Sequence, residues 1–271
     1  FLPATKVMPK EMLTLVDKPL IQYAVEEARA AGVESFAFVT SQGKTLIEDH
    51  FDSHYELYET LERRGKEAEL ASAKATEIAA GDLAIMRQHT PLGLGHAVWC
   101  ARDFIGNEPF AVILPDDVIL SKTPALKQMV DAYSKVGGNM VAVEEVPMEQ
   151  VHRYGILDVD QDDGKIASAK GLVEKPNAED APSNLSIIGR YILQPEIFDI
   201  LDKRETGAGG EIQLTDAIAK MIGPMPFHGF RFDGTRYDCG NKAGFVAANV
   251  AFAMAREDVA DDVRNMVKDL V

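Results

Sequence analysis

Residues 110–117 carry the sequence Phe-Ala-Val-Ile-Leu-Pro-Asp-Asp, an apolar run that ends in a proline and two adjacent carboxylates. Such a run, without polar alternation, is typical of a strand that is buried on both faces of a helix-covered parallel sheet. In open sheets of this kind, ligands bind beyond the carboxyl ends of the strands. The stretch therefore predicts an α/β fold and the edge of the sheet at which a site should lie.

The first half of the chain alternates strand patterns with helix patterns around this stretch. Apolar residues recur at helical spacing in the first helix pattern, at Leu20, Ala24, Val25 and Ala28. Gly32 follows as a stop signal. Strands that alternate with helices predict right-handed crossovers and a mostly parallel sheet with helices on both faces.

The second half is richer in strands. Strand patterns occupy residues 141–146, 156–159, 165–173 and 185–193, with few helices between them. A turn signal, Asp-Gln-Asp-Asp-Gly at 160–164, separates two of these strands. The pattern predicts antiparallel additions at the edge of the sheet, within one continuous domain.

The charge balance limits the classes of ligand. The 271 residues contain 28 Lys+Arg and 43 Asp+Glu, a formal net charge of −15. Nucleic acids and anionic membranes require a basic surface, so neither is predicted as a partner. An anionic small substrate would need local cations and a metal ion, although an acid excess also serves solubility alone. Two cysteines, and no signal peptide or long apolar run, predict a protein of the reducing cytoplasm.

Two lysines are candidates for binding phosphate groups. Lys10 lies four residues after Lys6, just before a predicted helix, where an ammonium group can bind phosphate as a point charge. Lys175 follows Glu174 at the end of a predicted strand, and the pair could bind a sugar hydroxyl and its phosphate together. Solvated lysines and a surface ion pair would give the same local patterns.

Carboxylates form a second group of candidates. Asp116 and Asp117 follow the 110–114 strand, and adjacent carboxylates at a strand end suit Mg²⁺, which also retains waters and phosphate oxygens. Asp238, in Tyr-Asp-Cys-Gly at 237–240, could complete a metal site. Capping of the next turn or helix is the alternative for each aspartate.

A glycine-containing segment lies between a predicted strand and a predicted helix. Gln88 is followed by Pro-Leu-Gly-Leu-Gly-His-Ala at 91–97. Glycines let the backbone approach a ligand, and a helix N-terminus favours an anion or a base edge, although many such turns carry glycine for geometric reasons alone. No Walker A motif, dinucleotide glycine fingerprint or Gly-x-Ser-x-Gly elbow is present.

Taken in order, these motifs resemble the bacterial UTP–glucose-1-phosphate uridylyltransferase family. The matching stretches are residues 1–6, 9–12, 16–23, 91–97, 114–117, 173–176, 210–217 and 237–240. The resemblance implies an open, mostly parallel sheet of the nucleotide-diphospho-sugar transferase type, with a smaller β-rich part that binds the sugar. In that family a Gly-rich loop precedes the Phe-Leu-Pro-Ala-Thr segment, so we expect such a loop before Phe1.

The resemblance also implies roles on the nucleotide side. Lys10 corresponds to the lysine that contacts the triphosphate. Gln88 and Gly93 correspond to positions that recognise uracil through a side-chain amide and the backbone. Asp116 corresponds to the main magnesium ligand, and Asp117 to a residue next to the ribose.

The resemblance also assigns four positions on the sugar side and one further position that faces the metal. Gly155 and Gly189 correspond to places where the backbone lies close to the sugar. Glu174 corresponds to the acceptor for sugar hydroxyls, and Lys175 to the lysine that binds the sugar phosphate. Asp238 corresponds to a second carboxylate that faces the metal.

The implied activity is transfer of a uridylyl group from UTP to α-D-glucose 1-phosphate by magnesium-assisted in-line attack, without a covalent intermediate. Residues 1–135 would form a nucleotide-binding half, 136–240 a sugar-binding half and 241–271 the C-terminal helices, in a homodimer or homotetramer. The alternatives are a related enzyme that uses dTTP or another sugar 1-phosphate, and a non-catalytic sugar-nucleotide-binding protein. A glycosyltransferase is a further alternative, but it would not need Lys10.

Overall fold

The computed structural model describes residues 1–270, and its first half alternates strands with helices. The elements of this half are β1 (Thr14–Leu15), β2 (Lys18–Pro19), α1 (Leu20–Ala30), β3 (Phe36–Thr40), α2 (Thr45–Phe51), α3 (Tyr55–Arg63), α4 (Glu67–Lys74), β4 (Leu83–Arg87), α5 (Leu94–Cys100), α6 (Arg102–Ile105), β5 (Phe110–Ile113), β6 (Asp117–Leu120) and α7 (Ala125–Val136).

The second half contains the longer strands, as predicted. Its elements are β7 (Asn139–Glu145), β8 (Gly155–Asp162), β9 (Ile166–Glu174), β10 (Leu185–Leu193), α8 (Ile197–Leu201), α9 (Leu214–Ala219), β11 (Phe227–Arg231), β12 (Thr235–Asp238), α10 (Lys242–Met254) and α11 (Ala260–Leu270). β8 and β9 form an antiparallel hairpin that is connected by residues 163–165, so β8 extends through the first part of the predicted 160–164 turn. This hairpin lies at the edge of the main sheet, which confirms the predicted antiparallel additions.

The first helix forms where its apolar spacing predicted it. α1 buries the four residues of the pattern, Leu20, Ala24, Val25 and Ala28. It ends shortly before Gly32, whose φ is +91°. Glycine tolerates this left-handed conformation because it has no Cβ, so it ends the helix at little cost.

The main sheet has the strand order β5-β10-β7-β11-β9-β8. β10 runs antiparallel to both β5 and β7, and every one of its nine residues is buried. β7 and β11 are parallel, and β3 and β4 form a separate parallel pair. β9 runs antiparallel to both β11 and β8, so in the part of the chain that the structure describes β7–β11 is the one parallel pairing between neighbours in the main sheet. The main sheet is therefore mixed rather than mostly parallel.

Helices cover both faces of the main sheet. One face packs against α5, α8 and α9 through a core that includes Val141, Leu157 and Leu214. The opposite face packs against α1, α2 and α7 through a core that includes Met140 and Ile188. Within residues 1–270, none of the helices has both the length and the apolar character that crossing a bilayer requires.

β5 differs from its prediction in burial. The sequence predicted a strand buried on both faces, but Phe110–Ile113 are all partly exposed. Within residues 1–270, β5 pairs only with β10 and β3 only with β4. Residues of β3 and β5 line a shared cavity of about 800 Å³. Because β5 borders this open space, its residues are only partly buried.

His228 on β11 is a polar residue in an apolar setting. In the register of the sheet it lies between Met140 of β7 and Ser168 of β9. Both of its ring nitrogens are buried without a hydrogen-bond partner. Burial lowers the pKa of His228, because the charged imidazolium would lose its hydration.

We expect His228→Phe to stabilise the protein by about 1 kcal/mol at pH 7.5, since it removes two desolvated, unpaired nitrogens. In the unfolded chain the histidine protonates near its ordinary pKa of 6.5, whereas burial lowers the pKa of His228 in the folded state. The wild type should therefore lose stability as the pH falls below that value, and the phenylalanine variant should lose less. Urea denaturation between about pH 7.5 and 5.5 measures this difference. A free-energy difference that stays constant over the range would contradict the prediction.

Candidate active site

The 110–117 stretch places Asp116 in a turn between two strands. β5 ends at Ile113, β6 begins at Asp117, and the amide of Asp117 donates to the carbonyl of Leu114 across the turn (3.2 Å). Lys10 Nζ donates to Asp116 Oδ2 at 2.6 Å. Burial works against the charged form of Lys10, but the Asp116 carboxylate outweighs it and raises the pKa of Lys10. Lys10 and Asp116, 106 positions apart, thus form one charged pair.

Asp116 also lies beside the Asp238 motif. The amide of Cys239 donates to the carbonyl oxygen of Asp116 at 2.7 Å. If Gly240 carried a Cβ, that atom would lie 2.9 Å from Asp238 Oδ1 and 3.5 Å from Asp116 Oδ2. Asp238 Oδ1 also accepts from the amide of Gly240 at 2.9 Å, which is the capping contact that the sequence left as an alternative. Both carboxylates thus lie beside Gly240.

This pair of carboxylates fits a magnesium ion. Mg²⁺ in proteins is commonly held by one or two carboxylates, with waters and substrate phosphates completing its octahedral shell. Cations already contact both groups: Lys10 contacts Asp116, and Arg153 Nη2 contacts Asp238 Oδ2 at 3.0 Å. Within residues 1–270, no three His, Cys, Asp or Glu side chains gather as ligands for one metal ion.

Asp117 is held by protein groups on both of its oxygens. Oδ1 accepts from Arg236 Nε at 2.6 Å, and Oδ2 accepts from the amide of Gly189 at 3.0 Å. Burial raises the pKa of the Asp117 carboxyl, and the charge of Arg236 opposes that rise. The structure therefore places Gly189 directly against Asp117. A Cβ at Gly189 would lie 2.8 Å from Asp117 Oδ2, so a side chain there would displace the carboxylate.

Below this turn lies a buried ion pair that the sequence analysis missed. The side chains of Arg190 and Glu27 are 2% and 9% exposed, and they form two hydrogen bonds at 2.8 and 2.9 Å. Arg190 also donates to the carbonyls of Leu114 and Asp117, at 3.1 and 2.7 Å. The sequence signal for this ion pair is Arg190 itself, the one charged residue in the 185–193 strand, because a buried charge requires partners.

The Glu174-Lys175 pair lies at the end of β9. Lys175 Nζ is 3.3 Å from Glu174 Oε1, and the Lys175 side chain is 50% exposed whereas that of Glu174 is 11% exposed. Lys175 has a φ of +48°, an unusual conformation for a residue with a Cβ. Its amide donates to the carbonyl of Tyr154 at 2.9 Å. The backbone therefore holds an accessible ammonium group next to a largely buried carboxylate.

Gly155 lies directly opposite Glu174 in the β8–β9 register. A Cβ at Gly155 would lie 3.3 Å from Glu174 Oε2 and 3.1 Å from Thr215 Cγ2. Burial, with a smaller contribution from the Glu174 charge, raises the pKa of the neighbouring Asp216 carboxyl. Thr215 and Asp216 belong to the 210–217 motif, to which the sequence analysis gave no individual roles.

Gln88 and Gly93 are also in contact. Gln88 Nε2 donates to the carbonyl of Gly93 at 3.0 Å, just before α5 begins. Gly93 has a φ of +103°, and a Cβ there would lie 2.8 Å from the carbonyl oxygen of Ile212. Only glycine fits this position, because both its conformation and its surroundings exclude a side chain.

The predicted residues form local pairs that are connected by two short segments. Residues 153–154 connect Asp238 to the Glu174–Lys175 pair, since Arg153 contacts Asp238 and the carbonyl of Tyr154 accepts from the Lys175 amide. Residues 211–215 connect the Gln88–Gly93 contact to Gly155, since Ile212 packs against Gly93 and Thr215 packs against Gly155. The arrangement brings two lysines, four carboxylates and several close-packed glycines into one connected region.

Comparison with known proteins gives consistent matches. A family model described as nucleotidyl transferase matches residues 1–254. The chain is 56% identical over 242 residues to the UTP–glucose-1-phosphate uridylyltransferase of Komagataeibacter xylinus, covering 89% of this chain and 85% of that protein.

Solved structures also match over nearly the whole chain. A UDP-glucose pyrophosphorylase complexed with UDP-glucose has a TM-score of 0.85 and 45% identity, and the match covers 94% of each chain. A UTP-bound UGPase from Acinetobacter baumannii has a TM-score of 0.89 and 38% identity, covering 100% of this chain and 95% of that one. The shared fold confirms the predicted fold class.

Proposed function

This chain belongs to the nucleotidyl transferase family, among the UTP–glucose-1-phosphate uridylyltransferases, and from that premise we propose that it joins UTP to α-D-glucose 1-phosphate to give UDP-glucose and pyrophosphate. The observation that carries this proposal is the presence of two separate lysine–carboxylate pairs, Lys10–Asp116 and Lys175–Glu174. Two anionic substrates need two cationic anchors in a protein with a net charge of −15.

The nucleotide is bound on the Lys10 side. Lys10 neutralises charge on the triphosphate with its ammonium group, which the structure already places in a charged contact with Asp116. Gln88 and the backbone of Gly93 recognise uracil at the start of α5. Asp117 lies next to the ribose, where its bonds to Arg236 and Gly189 fix its orientation.

The sugar phosphate is bound on the Lys175 side. Glu174 accepts hydrogen bonds from glucose hydroxyls, and the exposed ammonium of Lys175 binds the phosphate. The backbone at Gly155 lies close to the sugar, because no side chain intervenes between it and Glu174. Gly189 acts through its contact with Asp117 as well as through its backbone position.

Asp116 and Asp238, the two carboxylates beside Gly240, would hold magnesium. A bound magnesium ion would supply positive charge that offsets the negative charge of the phosphates. Lys10, which contacts Asp116 in this structure, would supply its ammonium group to the triphosphate.

The reaction is a single displacement. A phosphate oxygen of glucose 1-phosphate forms a bond to the α-phosphorus of UTP, and the bond from that phosphorus to the oxygen bridging the β-phosphate breaks. No general base is required, because the attacking phosphate is already ionised. Lys175 aligns the attacking phosphate, and Lys10 stabilises the charge on the departing pyrophosphate, so catalysis rests on positioning and electrostatics.

The proposal extends to the organisation of the protein. Residues 1–135 form the nucleotide-binding half, 136–240 the sugar-binding half and 241–270 the C-terminal helices of one domain; residue 271 of the predicted range lies outside the described residues. A homodimer or homotetramer is supported by α10, whose apolar sequence leaves Val246 61% exposed. Location in the reducing cytoplasm is supported by the free thiols of Cys100 and Cys239.

Incubation of the full-length protein with UTP, glucose 1-phosphate and Mg²⁺ should give UDP-glucose and pyrophosphate in equal amounts, measured by ion-exchange chromatography. Omission of glucose 1-phosphate is the control, and it should abolish release of both products. Pyrophosphate release from UTP alone would contradict the proposed reaction.

A further inference from the structure

The amide of Gln88 makes two hydrogen bonds through the same nitrogen. Nε2 lies 3.0 Å from the carbonyl oxygen of Gly93 and 3.0 Å from His96 Nδ1. A backbone carbonyl can only accept, so the atom that faces Gly93 must be the amide nitrogen. Both hydrogens of the Gln88 amide are therefore engaged, and its carbonyl oxygen is the group left for a ligand.

The same geometry fixes the proton of His96. Because Gln88 Nε2 donates to it, Nδ1 must be unprotonated, and the neutral ring carries its proton on Nε2. His96 is 9% exposed, and its ring stacks on Trp99 with centroids 5.6 Å apart. Burial, and secondly the charge of Arg204, lower the pKa of His96, which favours this neutral form.

The start of α5 is held in place by close packing against the 211–213 backbone. The amide of Gly95 donates to the carbonyl of Ile212 at 2.8 Å. A Cβ at Gly95 would lie 2.7 Å from that oxygen, and one at Gly93 would lie 2.8 Å from it. The helix therefore cannot shift without breaking this contact, and the ring of His96 stays fixed relative to Gln88.

We propose that His96 is a positioning residue for base selection: its Nδ1 accepts the second hydrogen of the Gln88 amide and, together with the Gly93 carbonyl, holds the Gln88 carbonyl oxygen toward the base. This inference rests on the proposed function, in which Gln88 meets the pyrimidine. It goes beyond that function by identifying a buried residue that helps to hold the Gln88 amide in this orientation.

The orientation selects bases by their hydrogen-bonding pattern. An acceptor at Gln88 Oε1 pairs with a ring N–H, which uracil and thymine present at N3. The N3 of cytosine is itself an acceptor, so the two lone pairs would repel each other and CTP would bind poorly. Rotation of the Gln88 amide would relieve this repulsion, but it would turn the Gln88 oxygen toward the Gly93 carbonyl, which can only accept, and toward His96 Nδ1, which accepts in this tautomer. His96 therefore acts together with the Gly93 carbonyl against the rotation that would admit CTP.

The test compares two variants of His96 in the full-length protein. His96→Leu keeps the approximate size of the side chain but replaces it with an apolar group, which removes the acceptor. His96→Asn places an amide oxygen near the position of Nδ1 and restores it. The ratio of kcat/KM for UTP to kcat/KM for CTP is measured for each variant at saturating glucose 1-phosphate, and circular dichroism confirms that each variant is folded.

We expect the leucine variant to lower the UTP-to-CTP ratio about tenfold, since one neutral hydrogen bond is lost. The asparagine variant should retain the ratio, and the KM for glucose 1-phosphate should stay unchanged in both. An unaltered ratio in His96→Leu would overturn the proposal. An equal loss in both variants would also overturn it, because only packing around the ring would then matter.

Two measurements separate this inference from the proposed function. Calorimetric binding of UTP and CTP to the same variants needs no turnover, so the selectivity can be tested even if no UDP-glucose forms. Nitrogen-15 chemical shifts of the wild-type histidines report the tautomer of His96 without any substitution. Protonation of Nδ1 in the neutral ring would overturn the proposal.

Discussion

Replacement of Lys175 by alanine is expected to lower kcat/KM for glucose 1-phosphate by about a thousandfold, a loss typical of removing a group that stabilises charge in the transition state. The affinity for UTP should change little. The two lysines lie in separate ion pairs, since Lys175 contacts Glu174 and Lys10 contacts Asp116. Loss of Lys175 therefore leaves the proposed UTP contact of Lys10 in place. Steady-state kinetics with each substrate varied in turn, together with calorimetric binding of UTP, measures the effect.

Lys170→Ala supplies a matched control for this experiment. Lys170 lies on β9, the strand that ends just before Lys175, and its ammonium is 3.6 Å from Asp158 in an exposed ion pair. The substitution also removes one lysine charge but should leave the kinetics unchanged, because exposed pairs contribute little. Normal kcat and KM in Lys175→Ala would count against the role of Lys175 in binding the sugar phosphate.

The second large effect is expected for Asp116→Asn. The substitution keeps the size of the side chain and the backbone carbonyl that accepts from Cys239. It removes the negative charge that Lys10 now contacts and that the metal would require. We expect kcat to fall about a thousandfold and the Mg²⁺ concentration for half-maximal rate to rise. Activity measured across a magnesium titration tests both effects.

Asp158→Asn is the corresponding control, since Asp158 lies on β8 in the exposed pair with Lys170. Its magnesium titration should match that of the wild type. If the titration of Asp116→Asn also matched the wild type, Asp116 would have a structural role in its turn and no role in binding the metal.

Local patterns predicted the elements of the fold well. α1 formed from its apolar spacing, and β10 occupies the strand predicted at 185–193. The burial of β5 was not predictable, because it depends on which strand edges meet in the folded sheet. The periodicity of apolar residues indicates whether one segment forms a helix or a strand. Which strands then pair with each other is decided by the whole chain.

The site was predicted residue by residue but not in its connections. Gly189 was expected to lie near the sugar, and its contact with Asp117, 72 positions away, was not foreseen. Arg236 and Arg190, which hold the two ends of the same turn, were also missed. These contacts join distant parts of the chain, so no local spacing encodes them, although a lone arginine in an apolar strand signals a buried partner.

The central claim is that this site joins a uridine nucleotide to glucose 1-phosphate. The most direct measurement is the initial rate of pyrophosphate release by the full-length protein, with UTP, dTTP or ATP combined in turn with glucose 1-phosphate or galactose 1-phosphate in the presence of Mg²⁺. We predict the highest kcat/KM for UTP with glucose 1-phosphate. A folded protein that gives no turnover with this pair, or that prefers dTTP, would contradict the account.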